Sequence, residues 1–441
     1  MDLEPCYNFI GNHSQSIPLI QDLPCSFSYN ERNYDTKAEI IFNIDGSLNI
    51  RTEISLDLIV PFTISGTNHI ILNGQKIPVY ISSLSTSSGE TTILFTSREQ
   101  PLQITGNDNT RLSRVIFHLF DFKDRIGTSR KVIQTGNSFE AKGVTKLSSS
   151  KWDVEILESR TKETGDLQKN HHPALSHVCC LTRPDGSEFD GKSARQVLFD
   201  LREFFTFSQG FFCSPIMPVG YDKDGNKTWA LGIGVHQPQI NGMSWFDPHH
   251  SDELAQLFPE FMEKLNDDQW KKTFYTVIYW YVRSNNTSGG GIDTGIILSQ
   301  IAIERLAYEY SVNCRKLIES NGFKDLKASD KFRLLFASLD IPVEIPDHLP
   351  KVQEIAKKFK YIDTPHFLTE IRNSMVHPDH KRHDDFSSHY YDAWRLSLWY
   401  LELTILRLCN YQGTYANRLP HEHWVGQVEN VPWVKNNSIQ Q

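Results

Sequence analysis

Hydrophobic and polar residues change rhythm along this chain. Leu48, Ile50, Thr52, Ile54 and Leu56 alternate with Asn49, Arg51, Glu53 and Ser55, the period of two of a half-buried strand. Asp45-Gly46 separates this run from Glu39-Ile40-Ile41-Phe42, and Asn73-Gly74 separates His69-Ile70-Ile71-Leu72 from Ile77-Pro78-Val79-Tyr80-Ile81. Both dipeptides accept the positive φ of tight turns, so both predict hairpins. Val115-Ile116-Phe117-His118-Leu119-Phe120 predicts a buried strand. Residues 1–190 therefore read as one β-rich domain, a sandwich or a partly open barrel, with a sensing or regulatory role.

Residues 191–291 mix both periods and read as a connector region. Ala194, Val197, Leu198, Leu201 and Phe205 share one helical face, and Asp224-Gly225 predicts a further hairpin. From Ser251 the pattern is helical, with a clear break at Ser284-Asn285-Asn286-Thr287-Ser288-Gly289-Gly290-Gly291.

Five amphipathic helices are expected in 292–441. The first starts near Asp293 or Thr294, buries Ile296, Ile303, Leu306, Tyr310 and Leu317, and stops before Asn321-Gly322. The second, capped by Ser329, uses Phe332, Leu335, Phe336 and Leu339, and the third follows Pro350 with Val352, Ile355, Ala356 and Phe359. The fourth has Thr364 as N-cap and Pro365 at the first helical position. It ends at His377, because Pro378 disfavours helical geometry in the residue before it. The fifth buries Tyr391, Trp394, Leu398, Leu401, Ile405 and Leu408. Short connections make these antiparallel neighbours, so the fold class is α+β: a β-rich N-terminal domain followed by an all-α bundle.

Composition narrows the function classes. A chain of 441 residues, 39% hydrophobic and 22% charged, is a folded protein with more than one core. Its net charge of -8 means that a nucleic-acid partner would need a local basic patch or a surface shared between subunits. The seven cysteines (6, 25, 179, 180, 213, 314 and 409) show no C-x-x-C spacing and fit free thiols in a reducing compartment. Met1-Asp2-Leu3-Glu4-Pro5 lacks the basic start and apolar run of a signal peptide. The most apolar helix carries Asp392, Arg395, Glu402 and Arg407, which argues against a membrane span. The cytoplasm is the expected location.

The chemistry concentrates in Glu370-Ile371-Arg372-Asn373-Ser374-Met375-Val376-His377-Pro378. Asn373 and His377 are four apart on one helix face, so the amide can bond the imidazole and fix its tautomer. An imidazole can deprotonate a 2'-hydroxyl or protonate a leaving 5'-oxygen, and a guanidinium can stabilise the phosphorane between them. Arg372, His377 and Asn373 are therefore the candidate catalytic residues. Lys381, Arg382 and Glu304 are candidates on the substrate side. Glu304 sits among apolar residues mid-helix and, if it faces inward, needs a cationic partner, for which Arg372 is one candidate. A surface position or a helix-end charge pair is the bland reading of such residues.

The pattern R-N-x-x-x-H resembles the motif of HEPN-domain ribonucleases, and Arg372, Asn373 and His377 occupy all its places. The ending Tyr411-Gln412-Gly413-Thr414-Tyr415-Ala416-Asn417-Arg418, with Val431-Pro432-Trp433, looks like HEPN proteins of the ApeA-like abortive phage-resistance type. The likeness covers the last third of the chain, and the rest by layout. It implies metal-independent RNA cleavage, no cofactor, RNA such as tRNA or mRNA as substrate, and a homodimer or even-numbered oligomer with two motifs in one cleft. It also implies a toxin-like part in anti-phage defence, with a phage-derived trigger sensed by the N-terminal domain. Some HEPN domains are non-catalytic, which leaves an interaction module with a ligand-binding β-domain as the alternative.

Two other patterns compete. Gly186-Ser187-Glu188-Phe189-Asp190-Gly191-Lys192-Ser193 matches the P-loop spacing, yet Glu188 and Asp190 would oppose a phosphate, and Pro184-Asp185-Gly186 reads as a β-turn. His377, His380 and His383 with Asp379, Asp384 and Asp385 could suggest a metal site but read better as a solvated polar loop.

Overall fold

Alternation of apolar and polar residues closes the first strands of the chain into a barrel. In the computed structural model these are β1 (Ser16–Tyr29), β2 (Arg32–Asn43), β3 (Leu48–Ser55), β4 (His69–Leu72), β5 (Gln75–Ser87) and β6 (Glu90–Ser97). The structure describes residues 3–9, 16–29, 32–43, 45–55, 69–87, 89–98, 101–124, 126–135, 138–169, 172–234, 242–286, 290–377, 389–420, 422 and 424–434. The barrel order is β1-β2-β3-β6-β5-β4, and β1 pairs with β4 to close it. Ile40, Phe42, Ile50, Ile54, Ile70 and Phe95 fill its interior. Both expected hairpins are present: β2 with β3 across Asp45-Gly46, and β4 with β5 across Asn73-Gly74. The second turn needs positive φ at both central residues, 48° at Asn73 and 79° at Gly74. Leu56 lies outside the described residues.

The rest of the β-rich half is a separate unit. Its strands are β7 (Leu102–Thr105), β8 (Arg111–Leu112), β9 (Arg114–Phe120), β10 (Ser129–Thr135), β11 (Ser138–Ser148) and β12 (Asp153–Glu158). Helix α1 (Lys162–Lys169), β13 (Leu175–Thr182), β14 (Phe189–Asp190), α2 (Gly191–Gln209), β15 (Ile216–Tyr221) and β16 (Lys227–Gly232) follow. Eight strands form one sheet, ordered β10-β11-β12-β13-β9-β15-β16-β7, while β8 and β14 pair apart. The hairpin across Asp224-Gly225 supplies β15 and β16, and these pair with β9 and β7. Residues 191–232 are thus part of a sheet domain, where the sequence reads as a connector. The reading misses this because the partners of the hairpin lie about a hundred residues upstream, beyond any local period. One face of the sheet meets the barrel core through Phe120, Leu175, Ile216 and Ala230. The other face, through Val115, Phe117 and Leu119, packs against α2 and the helical region.

The helical region holds α3 (Asp252–Asn266), α4 (Asp268–Asn285), α5 (Gly291–Tyr308), α6 (Ser320–Asp325), α7 (Ala328–Ser338), α8 (Pro350–Phe359), α9 (Thr364–Val376) and α10 (Tyr390–Leu408). A small C-terminal hairpin of β17 (Thr414–Tyr415) and β18 (Glu429–Asn430) ends it. Four sequence expectations change. The first bundle helix passes into a π turn over Glu309–Cys314, which rotates Leu317 outward to 47% exposure. Asp363, and not Thr364, caps α9: its longer reach and charge let the carboxylate accept the His366 N–H at 2.9 Å. Ser329 lies inside α7, whose N-cap is Lys327. Tyr391 is 50% exposed, at the open end of α10. Among the described residues no helix is long and apolar enough to cross a membrane.

A buried ion pair joins the last segment of the chain to the helices. Arg418 and Glu402 on α10 are each 1% exposed at their side chains. Arg418 donates to both carboxylate oxygens, with Nε to Oε2 at 2.8 Å, and Tyr281 on α4 donates to Oε1 at 2.5 Å. The same guanidinium reaches the Met243 carbonyl at 2.9 Å and the Asn285 side-chain oxygen at 3.3 Å. Arg395 in turn donates to the carbonyls of Arg418 and Pro420. Nearby, Glu253 in the first turn of α3 accepts from the Thr414 hydroxyl at 2.9 Å and from the Asp247 N–H at 3.3 Å. Burial, reinforced by the Asp247 charge, pushes its carboxyl up to about 8.

Two outcomes follow from these pairs. Arg418→Met leaves Glu402 charged and unpaired, and it is expected to cost about 3–5 kcal/mol in urea unfolding, whereas Arg418→Met with Glu402→Leu loses much less. Equal losses would remove the pair as a unit. Glu253 ionises near 4.5 when unfolded and near 8 when folded, so its contribution is full below pH 4.5 and is lost as pH rises through about 8. The melting temperature of Glu253→Gln is therefore expected to fall less than that of the natural chain between pH 5 and 8; parallel curves would refute the assignment.

Candidate functional site at the end of helix α9

Helix α9 is held at both ends. At its start, Arg333 on α7 grips the Asp363 carboxylate with Nε to Oδ2 at 2.5 Å and Nη2 to Oδ1 at 2.9 Å, a bidentate pairing that fixes orientation as well as charge. Thr364 adds an N–H to the Val343 carbonyl and a hydroxyl to the Glu344 carbonyl, both at 2.9 Å. Along its middle, Gln300 on α5 donates to the Leu368 carbonyl at 2.8 Å. One turn further on both helices, Glu304 meets Arg372 at 3.7 Å.

That meeting point is the core of the site. Glu304 is half-buried and lies between two cations, with Lys331 of α7 at 2.7 Å and Arg372 of α9 at 3.7 Å. The Arg372 side chain is only 16% exposed. Its Nη2 donates to the Asn373 side-chain oxygen at 3.3 Å, and its Nε–H is buried with no partner among the described residues. The guanidinium thus points along the α5–α9 seam, with its Nη atoms already engaged. His377 is the C-cap of α9, exposed, with φ -110° and ψ 118°, and its N–H donates to the Asn373 carbonyl at 3.0 Å. The extended backbone at His377 ends the helix there, in the geometry that a following proline favours.

Of the six residues singled out by sequence, Arg372, Asn373 and Glu304 form one contacting group, and His377 stands a turn beyond Asn373. Lys381, Arg382, His380 and His383 lie outside the described residues. Asn373 bonds its neighbour Arg372 and, through its backbone, His377. Sequence reasoning named Arg372 as a partner for Glu304 but missed the nearer Lys331. The signal was present: Lys331 directly precedes Phe332, the first apolar contact of α7, which places it at the rim of a buried face.

The P-loop spacing does not build a phosphate cradle. Gly186 donates to the Arg183 carbonyl in a β-turn, with φ 71°. At the start of α2, Gly191 N–H donates to the Thr110 carbonyl, Lys192 N–H to the Asp108 carbonyl, and Ser193 N–H to the Asp190 carboxylate. The backbone donors that a phosphate would need are already bonded. A Cβ at Gly191 would lie 2.3 Å from the Asn107 carbonyl oxygen, so this glycine serves close packing.

Barrel, sheet and bundle thus place an arginine–histidine pair at a helix end, and comparison with known proteins bears on two of the three parts. Residues 267–430 match the family model of the YopA C-terminal domain, and residues 107–232 that of the YopA central domain. The SPbeta prophage-derived uncharacterized protein YopA of Bacillus subtilis (strain 168) is 29% identical over 330 residues, 74% of this chain and 73% of that protein. The chain is therefore similar to YopA in its sheet domain and in the bundle that carries Arg372 and His377, while the barrel lies outside both matched stretches. No solved structure matches the chain.

The geometry orders the two ion pairs of Glu304. A double-mutant cycle between Glu304 and Lys331 is expected to give a coupling of about 0.5–1 kcal/mol, and the cycle with Arg372 less, because the two cations are about equally buried and the Arg372 pair, at 3.7 Å, is the longer. A larger coupling to Arg372 would reverse the assignment of Lys331 as the main partner.

Proposed function

We propose that the protein is a metal-independent endoribonuclease of HEPN type, acting as a toxin-like effector in anti-phage defence. One observation carries the reading: an R-N-x-x-x-H sequence ends α9 with His377 exposed as the helix cap, one turn beyond the anchored Arg372–Asn373 pair. The name of the prophage relative states no activity, so the proposal rests on these residues and on their resemblance to the HEPN motif. In the proposed reaction His377 takes the proton of a substrate 2'-hydroxyl, and the freed oxygen attacks the adjacent phosphorus. The bond to the 5'-oxygen breaks as that oxygen takes a proton from an imidazolium, the His377 of a second copy, leaving a 2',3'-cyclic phosphate and a 5'-hydroxyl. Arg372 balances the charge that builds on the phosphorane. Glu304 acts as a positioning residue, keeping the guanidinium on the seam.

The site is completed by a second copy in this reading. Val376 is 44% exposed beside His377, and Tyr391 is 50% exposed at the start of α10. A two-fold axis through this apolar end would bring two Arg372 and two His377 residues into one cleft and supply cationic charge that one acidic chain lacks. Engagement of Arg372 by Glu304 favours the second reading, a non-catalytic interaction module in which the arginine is structural.

Incubation of the purified protein with total RNA and with DNA, in EDTA, separates these. RNA alone should be cut, with cyclic phosphate ends, and His377→Ala and Arg372→Ala should each lose about 10²-fold or more in rate; His377→Ala should keep the melting curve, and Arg372→Ala, which loses the contact with Glu304, should remain folded with a slightly lower melting temperature. Lys192→Ala should cut normally. Cleavage that needs an added divalent ion would end the metal-free mechanism, and full activity in both site variants would leave the interaction module. Light scattering that finds an active monomer would remove the shared cleft.

A further inference from the structure

A cleft of about 660 Å³ opens between the barrel rim, the sheet edge and helices α2 and α4. The period of the helix puts its chemistry there. Arg195 and Arg202 stand on α2 two turns apart, about 10 Å along the axis, and Tyr275 and Tyr279 stand one turn apart on α4. Phe212, after α2, lies with its ring 6.2 Å from that of Tyr279. The lining thus sets aromatic rings (Phe199, Phe212, Tyr275 and Tyr279) among aliphatic and small polar residues, with a charged group at each end.

Those charged groups are incompletely satisfied. Glu203 is 5% exposed; its Oε1 accepts Nε and Nη2 of Arg202 at 2.9 and 2.6 Å, and its Oε2 accepts no hydrogen bond among the described residues. Arg195 donates Nη2 to Gln103 at 2.5 Å and to Asp108 at 3.1 Å, while its buried Nε–H has no partner among the described residues. One end of the cleft therefore offers an acceptor held in place by Arg202. The other offers a guanidinium beside a carboxylate, Asp108, that is 55% exposed and free to turn outward.

We propose that this cleft binds a nucleotide. The heterocycle lies among Phe212, Tyr275 and Tyr279, whose rings offer stacking that tolerates any base. A ring N–H or exocyclic amine donates to Glu203, and the phosphate takes Arg195 in place of Asp108. Arg195 and Glu203 stand about 12 Å apart along α2, a span that the long Arg195 side chain shortens to the reach from the edge of a base to its 5'-phosphate. This site is separate from the end of α9, so it stands or falls independently of RNA cleavage.

Titration calorimetry of the full chain with AMP, GMP, CMP and UMP, their nucleosides and inorganic phosphate tests the proposal. At least one monophosphate should bind, about tenfold or more tighter than its nucleoside, with phosphate alone weaker than both. Arg195→Ala should abolish the preference for the monophosphate over the nucleoside, and Glu203→Gln should weaken both. Tyr279→Ala, at a residue 47% exposed, removes stacking without opening the core and should weaken binding about tenfold. Absence of binding by all four nucleotides, or binding unchanged in folded Arg195→Ala and Tyr279→Ala, would overturn it.

Discussion

The pairing of Arg418 with Glu402 is the contact on which the assembly of the helical half depends. A charge taken out of water is tolerated only when every polar atom finds a partner. Here one guanidinium joins α10 to the segment at Met243 and to the end of α4, while Tyr281 completes the carboxylate. The last part of the chain is therefore an internal strut of the bundle, and Arg395 holds its backbone in turn. Hydrophobic contacts alone would let helices slide along one another, since burial has no direction. A buried, directional ion pair picks one register.

The candidate site uses the same physics nearer the surface. Arg333 with Asp363 pins the start of α9, and Glu304 with Lys331 and Arg372 pins its end. Between them the apolar residues Phe367, Leu368 and Ile371 are fully buried. The helix that carries His377 is thus fixed in azimuth, while its last residue is left at the solvent. Rigid support with an exposed terminal group suits a residue that must meet a large partner.

Local features were legible in the sequence and long-range ones were not. Hairpin turns at Asp45-Gly46, Asn73-Gly74 and Asp224-Gly225 were readable because the turn chemistry lies within a few residues. So was the end of α9, set by Pro378. Closure of the barrel was not, because it rests on β1 meeting β4 across forty residues of chain. The sheet domain was hidden for the same reason. At the site, the motif was visible as a string, but the burial of Arg372 and the role of Lys331 depend on how α5, α7 and α9 pack. Ser329 and Thr364 fit the preference for an N-cap, yet the neighbours of each set where the helix begins.

Helix α4 belongs to two surfaces at once. Tyr275 and Tyr279 face the barrel side, while Ser284 near its end donates to the Gly295 carbonyl of α5 and accepts from Trp394 of α10. Gly295 permits this approach, since a Cβ there would lie 2.8 Å from the Ser284 carbonyl oxygen. Packed helices shift as bodies because close-packed interiors leave no slack. Helix α4 therefore packs directly on α5, the helix bearing Glu304, while it lines the cleft with Tyr275 and Tyr279. One helix thus links a wall of the cleft beside the barrel to the helix that supports the arginine–histidine end.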